Sequence, residues 1–425
     1  MKLALTKHIF GDLTVPDSQY LGTYGLKNIE GNGLSDEQIR TAIENPMGTE
    51  TLHQMAKGCN NVLIVTDDNT RPTPLPRLVG PVLKELQNAG VQDDNITFLI
   101  GLGTHRPMNR DEIAAKFGDS VTKKYRILNH VWDNPEALVS LGNCEFGFEV
   151  MVNRLLIESD LVISIGNVVP HATTGFSGGG KTIITGIAGR STIENTHWMA
   201  LDFAMTEILG NYNNPVIEVI NKLARKVNLA MIINTVLFDT DKIYGIIAGD
   251  PQLAHKEAVA LCREVYGVEV PSKADIVVAE AYPTDINLRQ AIKAICAADL
   301  VCRDGGVIIL PAECSEGIAH QFPDFIEYGF KNPDLLYKKV EEGTFKQKLM
   351  AYTLVAIGRI VSRRVKAILV SPNINSSQAD KMGFLWASNL HNAVQKAYSL
   401  TDKRAKLISL RQAGILLPIL KSEFK

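Results

Sequence analysis

Short apolar runs rich in valine and isoleucine alternate along the chain with segments in which apolar residues recur every three to four positions. The first pattern is typical of buried strands and the second of amphipathic helices. The predicted strands cover 61–66, 97–100, 161–166, 229–237, 275–280, 306–312 and 365–372. The predicted helices cover 78–89, 215–225, 254–265, 287–302 and 346–361. This alternation predicts an α/β fold with parallel-rich sheets flanked by helices.

The length of 425 residues is more than one hydrophobic core normally serves, so we expect two domains. Near residues 268–273 a predicted helix ends, Pro271 follows, and a new strand begins. We therefore predict an N-terminal α/β domain over residues 1–270 and a C-terminal α/β domain over residues 271–425. The last helix of the second domain is a candidate to pack back on the first.

Charge and composition narrow the classes of function. The 44 lysines and arginines nearly balance the 46 aspartates and glutamates, without a long run of one sign, which argues against a nucleic-acid surface or a polybasic membrane patch. No stretch approaches the ~18 consecutive apolar residues of a membrane span, and the N-terminus does not resemble a signal peptide. Six scattered cysteines are expected to be buried free thiols. These features predict a cytoplasmic location.

Polar loops directly follow three of the predicted strands. They contain Asp68 to Pro72, Thr104 to Pro107, and Pro170-His171 followed by a glycine-rich stretch. Ligands of open parallel sheets bind beyond the carboxyl ends of the strands. Three such loops in one predicted domain indicate a shared site.

The glycine-rich stretch 175–182 (GFSGGGKT) matches the phosphate-binding pattern GxxxxGK[ST], which makes a P-loop nucleotide triphosphatase one alternative. That motif needs a strand that runs directly into its first glycine, whereas the predicted strand ends at Gly166. Gly186 and Gly189 also interrupt the helix that should follow Lys181. The stretch therefore indicates close approach of backbone to a bulky ligand, with a lysine beside it. A non-catalytic protein that binds a hydroxy acid or a nucleotide is a further alternative.

Five segments together resemble the nickel-pincer-nucleotide-dependent lactate racemase family across nearly the whole chain. They are DDNTRP at 67–72, GTHRP at 103–107, HATTGFSGGGK at 171–181, NTH at 195–197 and RQAIK at 289–293. The resemblance implies two α/β domains with the active site in the cleft between them. It also implies a racemase or epimerase that interconverts stereoisomers at C2 of a small 2-hydroxy acid (lactate-like, malate-like or a sugar acid) by hydride transfer.

The family's cofactor is a pyridinium-3-thioamide-5-thiocarboxylate mononucleotide that holds nickel, and the resemblance implies its covalent attachment to Lys181. His197 matches the histidine that completes the nickel coordination, a role suited to imidazole. Other residues implied to bind the cofactor are Asp68, Asn69, Thr70, Arg71 and Gln290. The resemblance further implies cofactor-maturation enzymes as partners.

His105 and His171 match the family's two acid/base residues. A racemase needs a base for each enantiomer, and two histidines that titrate near neutrality meet that need. The residues implied to bind substrate are Arg71, Arg289, Gln290 and Lys293, where arginine suits a carboxylate. Arg289 stands where the lactate enzymes have tyrosine, and Ala172, Thr173 and Thr174 stand where they have bulky apolar residues. These departures predict a roomier, more polar pocket for a dicarboxylate or a polyhydroxy acid.

Overall fold

The computed structural model describes residues 2, 3, 5–11, 13–319 and 322–422. The chain forms two compact units. The first unit comprises Ile29–Ala200 and Asn211–Val265. The second unit comprises Leu201–Gly210, the chain from Tyr266 onward, and the described residues up to Asn28.

Both units contain strands and helices in alternation. The strands are, in chain order, β1 (Lys2–Leu3), β2 (Leu13–Thr14), β3 (Tyr20–Tyr24), β4 (Val62–Asp67), β5 (Ile96–Gly101), β6 (Arg126–Asn129), β7 (Leu138–Asn143), β8 (Glu149–Asn153), β9 (Leu161–Asn167), β10 (Pro170–His171), β11 (Gly175–Phe176), β12 (Leu229–Leu237), β13 (Ile243–Gly249), β14 (Gly267–Val270), β15 (Ala274–Ala279), β16 (Cys302–Pro311), β17 (Lys366–Val370), β18 (Leu385–Ala387), β19 (Leu407–Leu410) and β20 (Leu417–Leu420).

The helices are α1 (Asp36–Glu44), α2 (Leu52–Met55), α3 (Leu75–Asn88), α4 (Arg110–Phe117), α5 (Asp119–Thr122), α6 (Leu155–Glu158), α7 (Lys181–Ile184), α8 (Arg190–Trp198), α9 (Met205–Ile208), α10 (Pro215–Lys226), α11 (Leu253–Tyr266), α12 (Leu288–Ala291), α13 (Lys293–Val301), α14 (Pro323–Tyr328), α15 (Pro333–Glu341), α16 (Lys348–Arg359), α17 (Ser376–Met382) and α18 (Leu390–Leu400). Among the described residues, no helix is long and apolar enough to cross a membrane.

A six-stranded sheet organises the first unit in the order β13-β12-β9-β4-β5-β6. Its strands are parallel except for β13, which pairs antiparallel with β12 at one edge. Ile64, Phe98 and Ile163 from the strands share a buried core with Leu78 and Val82 of α3. Because these strands carry apolar residues on both faces, their side chains are buried throughout, which is typical of a parallel sheet covered by helices.

A second six-stranded sheet organises the second unit in the order β18-β17-β16-β15-β19-β3, with all neighbours parallel. Ile276, Val307 and Ile368 from its strands lie in a core with Leu390 and Val394 of α18. The last helix therefore contributes its apolar side chains to the core of its own unit. The helical periodicity of the sequence predicts an apolar face but does not predict which sheet that face packs against.

The two-domain α/β architecture is confirmed, but the chain enters the second sheet earlier than the sequence indicates. β3 pairs with β19, so the residues around it belong to the second unit, although the predicted first domain was 1–270. The same holds for Leu201–Gly210. A strand's partner lies far away in sequence, so local hydrophobic patterns identify the strand without revealing its sheet.

Candidate active site

The predicted site residues of the first unit follow the carboxyl ends of adjacent parallel strands. Asp68 follows β4, His105 follows β5, and His171 ends β10, which comes shortly after β9. Since β4 lies between β5 and β9, the three loops lie at one edge of the sheet. The three loops therefore begin at the carboxyl ends of neighbouring strands, and a shared site at this edge stays a prediction.

Asp68 and His105 form the closest contact among these residues. The His105 Nδ1 atom lies 2.6 Å from Asp68 Oδ2, and the carboxylate is buried while the imidazole is half exposed. Thr70 donates from its hydroxyl to Asp68 Oδ1 at 2.6 Å. Burial raises the pKa of Asp68, but the His105 and Thr70 hydrogen bonds and the Arg71 charge outweigh it and lower the pKa below its usual value. Asp68 is therefore an anion, and its carboxylate accepts a hydrogen bond from the Nδ1–H of His105.

Lys116 of α4 fixes the loop that carries Asp68. Its ammonium lies 3.0 Å from Asp67 Oδ1 and donates to the Arg71 carbonyl at 2.8 Å. The Lys116 side chain is almost fully buried, so this ion pair is shielded from solvent. The role of Lys116 could not be predicted from the sequence, because an isolated lysine on a short helix is usually solvated.

The hydrogen bonds of His171 differ from those of His105. The backbone N–H of Thr173 donates to His171 Nδ1 at 3.2 Å. A backbone amide can only donate, so Nδ1 carries a lone pair and the neutral ring carries its proton on Nε2. In His105 the proton on Nδ1 faces Asp68, which leaves the Nε2 lone pair to accept a proton. The two histidines therefore favour opposite tautomers.

The glycines of the 175–182 stretch are required by protein contacts. Gly178 and Gly179 have positive φ values of +84° and +56°. A Cβ atom on Gly179 would lie 2.5 Å from His255 Nδ1, and one on Gly178 would lie 2.9 Å from Asn234 Oδ1. Asn234 Oδ1 also accepts the Gly179 amide at 3.0 Å.

Buried His255 also holds the glycine-rich stretch, because its Nε2–H donates to the Ser177 carbonyl at 2.9 Å. The amide of Gly179, which a phosphate-binding loop would present to its ligand, is thus used inside the protein. The helix that follows, α7, has only four residues. Both observations argue against the triphosphatase alternative. His255 and Asn234 were not identified as relevant from the sequence.

Lys181 begins α7 directly after these glycines. Burial is the main cause that lowers its pKa to about 7, the Arg71 charge lowers it further, and Asp68 acts in the opposite direction. A substantial fraction of the amine is therefore unprotonated near neutral pH and able to act as a nucleophile.

His197 lies on α8, and its Nδ1–H donates to the Ile193 carbonyl at 2.7 Å. Burial, followed by the Lys181 charge, lowers its pKa to about 4. The imidazole is therefore neutral with its lone pair on Nε2, the state in which histidine ligates a metal while its other nitrogen donates to a carbonyl. Among the described residues, no group of three or more His, Cys, Asp or Glu is arranged to hold a metal. His197 fits a metal whose remaining donors come from a bound cofactor.

Asn69 is placed differently from its neighbours. Its side-chain amide donates to Glu112 Oε1 at 3.2 Å on the exposed side of the loop. The Arg71 guanidinium donates to the carbonyl and the hydroxyl of Thr70, each at 3.4 Å, and forms no ion pair with an acidic side chain among the described residues. Of the four residues in this loop, Asp68 and Thr70 thus hold His105, and Arg71 acts on Lys181 through its charge.

Arg289, Gln290 and Lys293 belong to the second unit. Arg289 and Gln290 lie on α12 and Lys293 begins α13, in the segment that follows β15. Asn287 caps α12 by accepting the Gln290 amide at 3.1 Å. The predicted single helix over 287–302 is thus divided between α12 and α13.

Comparison with known proteins connects both units to one family. Residues 8–207 match the lactate racemase N-terminal domain, and residues 269–416 match the lactate racemase C-terminal domain. The chain is 31% identical to lactate racemase from Thermoanaerobacterium thermosaccharolyticum over 92% of its length and 93% of that protein. It is 30% identical to lactate racemase from Lactiplantibacillus plantarum over 88% of its length and 89% of that protein.

Solved structures agree with these matches. The lactate racemase apoprotein from T. thermosaccharolyticum superposes with a TM-score of 0.85 at 30% identity, over 96% of this chain and 97% of that one. A Thermotoga maritima protein shares the fold with a TM-score of 0.71 at 22% identity, over 92% of this chain and all of that one. The sequence matches extend across both units and contain the Asp68, His105, Lys181 and His197 segments, and the chain belongs to the lactate racemase family.

Proposed function

We propose that this isomerase interconverts the stereoisomers at C2 of a small 2-hydroxy acid, using a nickel-pincer nucleotide attached to Lys181. The two named relatives act on lactate, which supports a lactate-like substrate. The observation that carries the proposal is the pair of opposite histidine tautomers at the sheet edge, beside a lysine whose pKa is near neutrality.

Lys181 and His197 fit the two attachments that the cofactor needs. The unprotonated Lys181 amine would form the covalent link, and His197 Nε2 would donate to the nickel. When bound, the cofactor would supply an electron-poor pyridinium ring that accepts the hydrogen of C2 as hydride. Asn69, Thr70, Arg71 and Gln290 are proposed to bind the nucleotide, and maturation enzymes to install it.

The two histidines would accept and donate the proton of the substrate hydroxyl. His105 Nε2 accepts that proton from one enantiomer, and Asp68 stabilises the resulting imidazolium. His171, which carries its proton on Nε2, returns a proton to the oxygen when the opposite enantiomer is formed. The reverse reaction exchanges the roles. Arg71 or Lys293 would hold the substrate carboxylate.

The test combines intact mass with a nickel assay, on protein purified with and without the cofactor-maturation enzymes. Co-expressed protein should carry a covalent mononucleotide and stoichiometric nickel, and it should racemise a 2-hydroxy acid. Lys181→Ala should lack the adduct and all activity. His197→Ala should keep the organic adduct and lose nickel, because its other donors belong to the cofactor.

Three outcomes would contradict parts of the proposal. An adduct that persists in Lys181→Ala would place the attachment elsewhere. ATP hydrolysis by protein that never acquires an adduct would instead favour the triphosphatase alternative. Unchanged nickel content in His197→Ala would show that His197 is structural.

A further inference from the structure

Residues 185–189 connect α7, which begins with Lys181, to α8, which carries His197. Backbone hydrogen bonds tie this connecting segment to neighbouring parts of the first unit. They join the Gly103 amide to the Gly186 carbonyl at 2.9 Å, the Asn153 amide to the Ile187 carbonyl at 2.9 Å, and the Gly189 amide to the Met151 carbonyl at 2.8 Å. Because the segment lies between the two proposed cofactor anchors, its position affects the spacing between them.

His130 adds a side-chain contact to the same segment. It is buried, and it directly follows β6. Its Nε2 atom lies 2.9 Å from the Ala188 carbonyl oxygen, and the Asn153 Nδ2 atom lies 3.1 Å from its Nδ1. The imidazole therefore bridges the connecting segment and the end of β8.

The hydrogen bonds of Asn153 determine the tautomer of His130. The Leu155 amide donates to Asn153 Oδ1 at 3.0 Å, so the side-chain NH2 of Asn153 faces the imidazole. An amide nitrogen can only donate, so His130 Nδ1 carries a lone pair and the Nε2–H donates to the Ala188 carbonyl. Burial is the main cause that lowers the pKa of His130, against the Ala188 hydrogen bond and the Asp133 charge. The ring is therefore neutral, with a partner at each nitrogen.

We infer that His130 is a positioning residue for the cofactor, which holds residues 185–189 so that Lys181 and His197 keep a fixed spacing. The inference rests on the proposed function and names a residue that keeps its two anchors aligned. His197 can bind the nickel of a cofactor attached at Lys181 only if the separation of the two residues is maintained. Groups that orient a metal ligand commonly change metal affinity by about 10- to 100-fold. His130 acts through the Ala188 carbonyl.

Two substitutions at His130 separate its two hydrogen bonds. The side-chain amide of His130→Gln extends about as far as Nε2 and can still donate to the Ala188 carbonyl. The shorter amide of His130→Asn can accept from Asn153 but does not reach Ala188. Tyr125→Phe is the matched control, because it removes a buried hydrogen bond of 2.6 Å to Asp93 at the opposite, amino end of β6.

Hydrogen exchange of the cofactor-free protein measures the hold on the segment without any cofactor. Amides of residues 185–190 should exchange about five- to tenfold faster in His130→Asn, as expected for the loss of one hydrogen bond. They should exchange at the unmodified rate in His130→Gln and in Tyr125→Phe. If His130→Asn does not fold, Asn153→Ser takes its place, because serine can still accept the Leu155 amide while the donor to Nδ1 is lost. Asn153→Ser should give a smaller increase in the exchange of the same amides.

The rate at which cofactor-loaded protein loses nickel to a chelator is the second readout. His130→Asn should keep the organic adduct and lose nickel about 10-fold faster, whereas His130→Gln and Tyr125→Phe should keep the unmodified rate. Equally fast nickel loss in Tyr125→Phe would show that general destabilisation is the cause, and it would overturn the inference. Unchanged exchange and unchanged nickel loss in His130→Asn would overturn it as well. Absence of adduct and nickel in the unmodified protein would instead overturn the proposed function, and with it the role of His130 toward a cofactor, whatever the exchange rates are.

Discussion

Lys7 in the second unit and Lys181 in the first are partly buried lysines with opposite surroundings. In the second unit Lys7 pairs with Asp285 at 2.9 Å and with Glu313 at 2.5 Å, and these contacts outweigh burial and raise the pKa of Lys7. In the first unit burial lowers the pKa of Lys181 to about 7 and that of His197 to about 4, and the Lys181 charge lowers the His197 pKa further. The Lys7 ammonium is neutralised by carboxylates of the protein, whereas the environment of Lys181 and His197 favours their unprotonated forms.

This difference separates cations that stabilise the fold from basic groups that are available to react with a ligand. A paired cation contributes to the fold and is not available to a ligand, whereas an uncharged amine or imidazole can form a bond or accept a proton. By this criterion Lys181 and His197 are placed for chemistry. Lys7 and Arg364 are placed for structure, since Arg364 pairs with Asp299 and Asp304.

The largest expected effect lies at the two histidines of the first unit. His105→Ala and His171→Ala should each slow racemisation by about 10²–10⁴-fold in both directions, because each turnover uses one histidine as base and the other as acid. Steady-state racemisation of each enantiomer by cofactor-loaded enzyme measures this. A variant that racemises at the unmodified rate would remove its histidine from the mechanism.

Single-turnover measurements sharpen the same comparison. Each variant should retain more cofactor reduction, followed by absorbance, with the enantiomer whose hydroxyl proton is taken by the histidine that remains. The two variants should therefore show opposite preferences for the two hands. Equal failure of both variants with both hands would contradict the division of roles, although not the involvement of the histidines.

A smaller effect is expected on stability, where a paired cation, Arg364, can be compared directly with Lys181, which has no ion pair. Arg364→Met should destabilise the cofactor-free protein by about 3–5 kcal/mol, because it leaves Asp299 buried without a partner. Lys181→Met should stabilise the cofactor-free protein, because it removes an amine whose protonation is opposed by burial. Urea denaturation at neutral pH measures both free energies of unfolding.

The pH dependence of that measurement follows from the Lys181 pKa. In the folded state this pKa is about 7, below the ordinary value of 10.5, so the unfolded chain binds more protons between these two values. The contribution of Lys181 to stability should therefore rise as pH rises from 7 to 10.5, and Lys181→Met should remove that rise. Identical pH profiles for the two proteins would show that Lys181 is not desolvated.

Much of the fold could be predicted from the sequence because its central strands are apolar on both faces. The predicted strands over 61–66, 161–166 and 229–237 correspond closely to β4, β9 and β12. β3 and β13 were missed: β3 has only partly buried residues, and β13 is an antiparallel edge strand that contains a glycine. Shorter or partly exposed strands give weak periodic signals, so their presence depends on tertiary pairing.

The candidate site was predicted less completely, for a related reason. His105, His171 and Lys181 could be predicted as site residues because they follow strands or belong to a motif that stands out locally. Lys116 and His255 act through contacts with the Asp68 loop and the glycine-rich stretch, and no local pattern marks a residue whose partner is distant in sequence. The opposite tautomers of His105 and His171 likewise could be assigned only from the positions of the neighbouring hydrogen-bond donors and acceptors.

The smallest expected effect tests why the glycine-rich stretch contains glycine. Gly179→Ala should destabilise the protein for two reasons, a φ of +56° and a Cβ placed 2.5 Å from the buried His255 ring. Gly343→Ala is the matched control, since its φ is +70° and no atom lies within 4 Å of its added Cβ. The control isolates the backbone strain, about 1–2 kcal/mol, and Gly179→Ala should cost about 1–3 kcal/mol more because of overpacking.

Thermal and urea denaturation of cofactor-free protein give the difference in stability between the two variants, and adding His255→Ala to Gly179→Ala should recover part of it. If Gly179→Ala costs no more than the control but blocks cofactor attachment, the glycine serves the approach of the ligand and not the packing against His255.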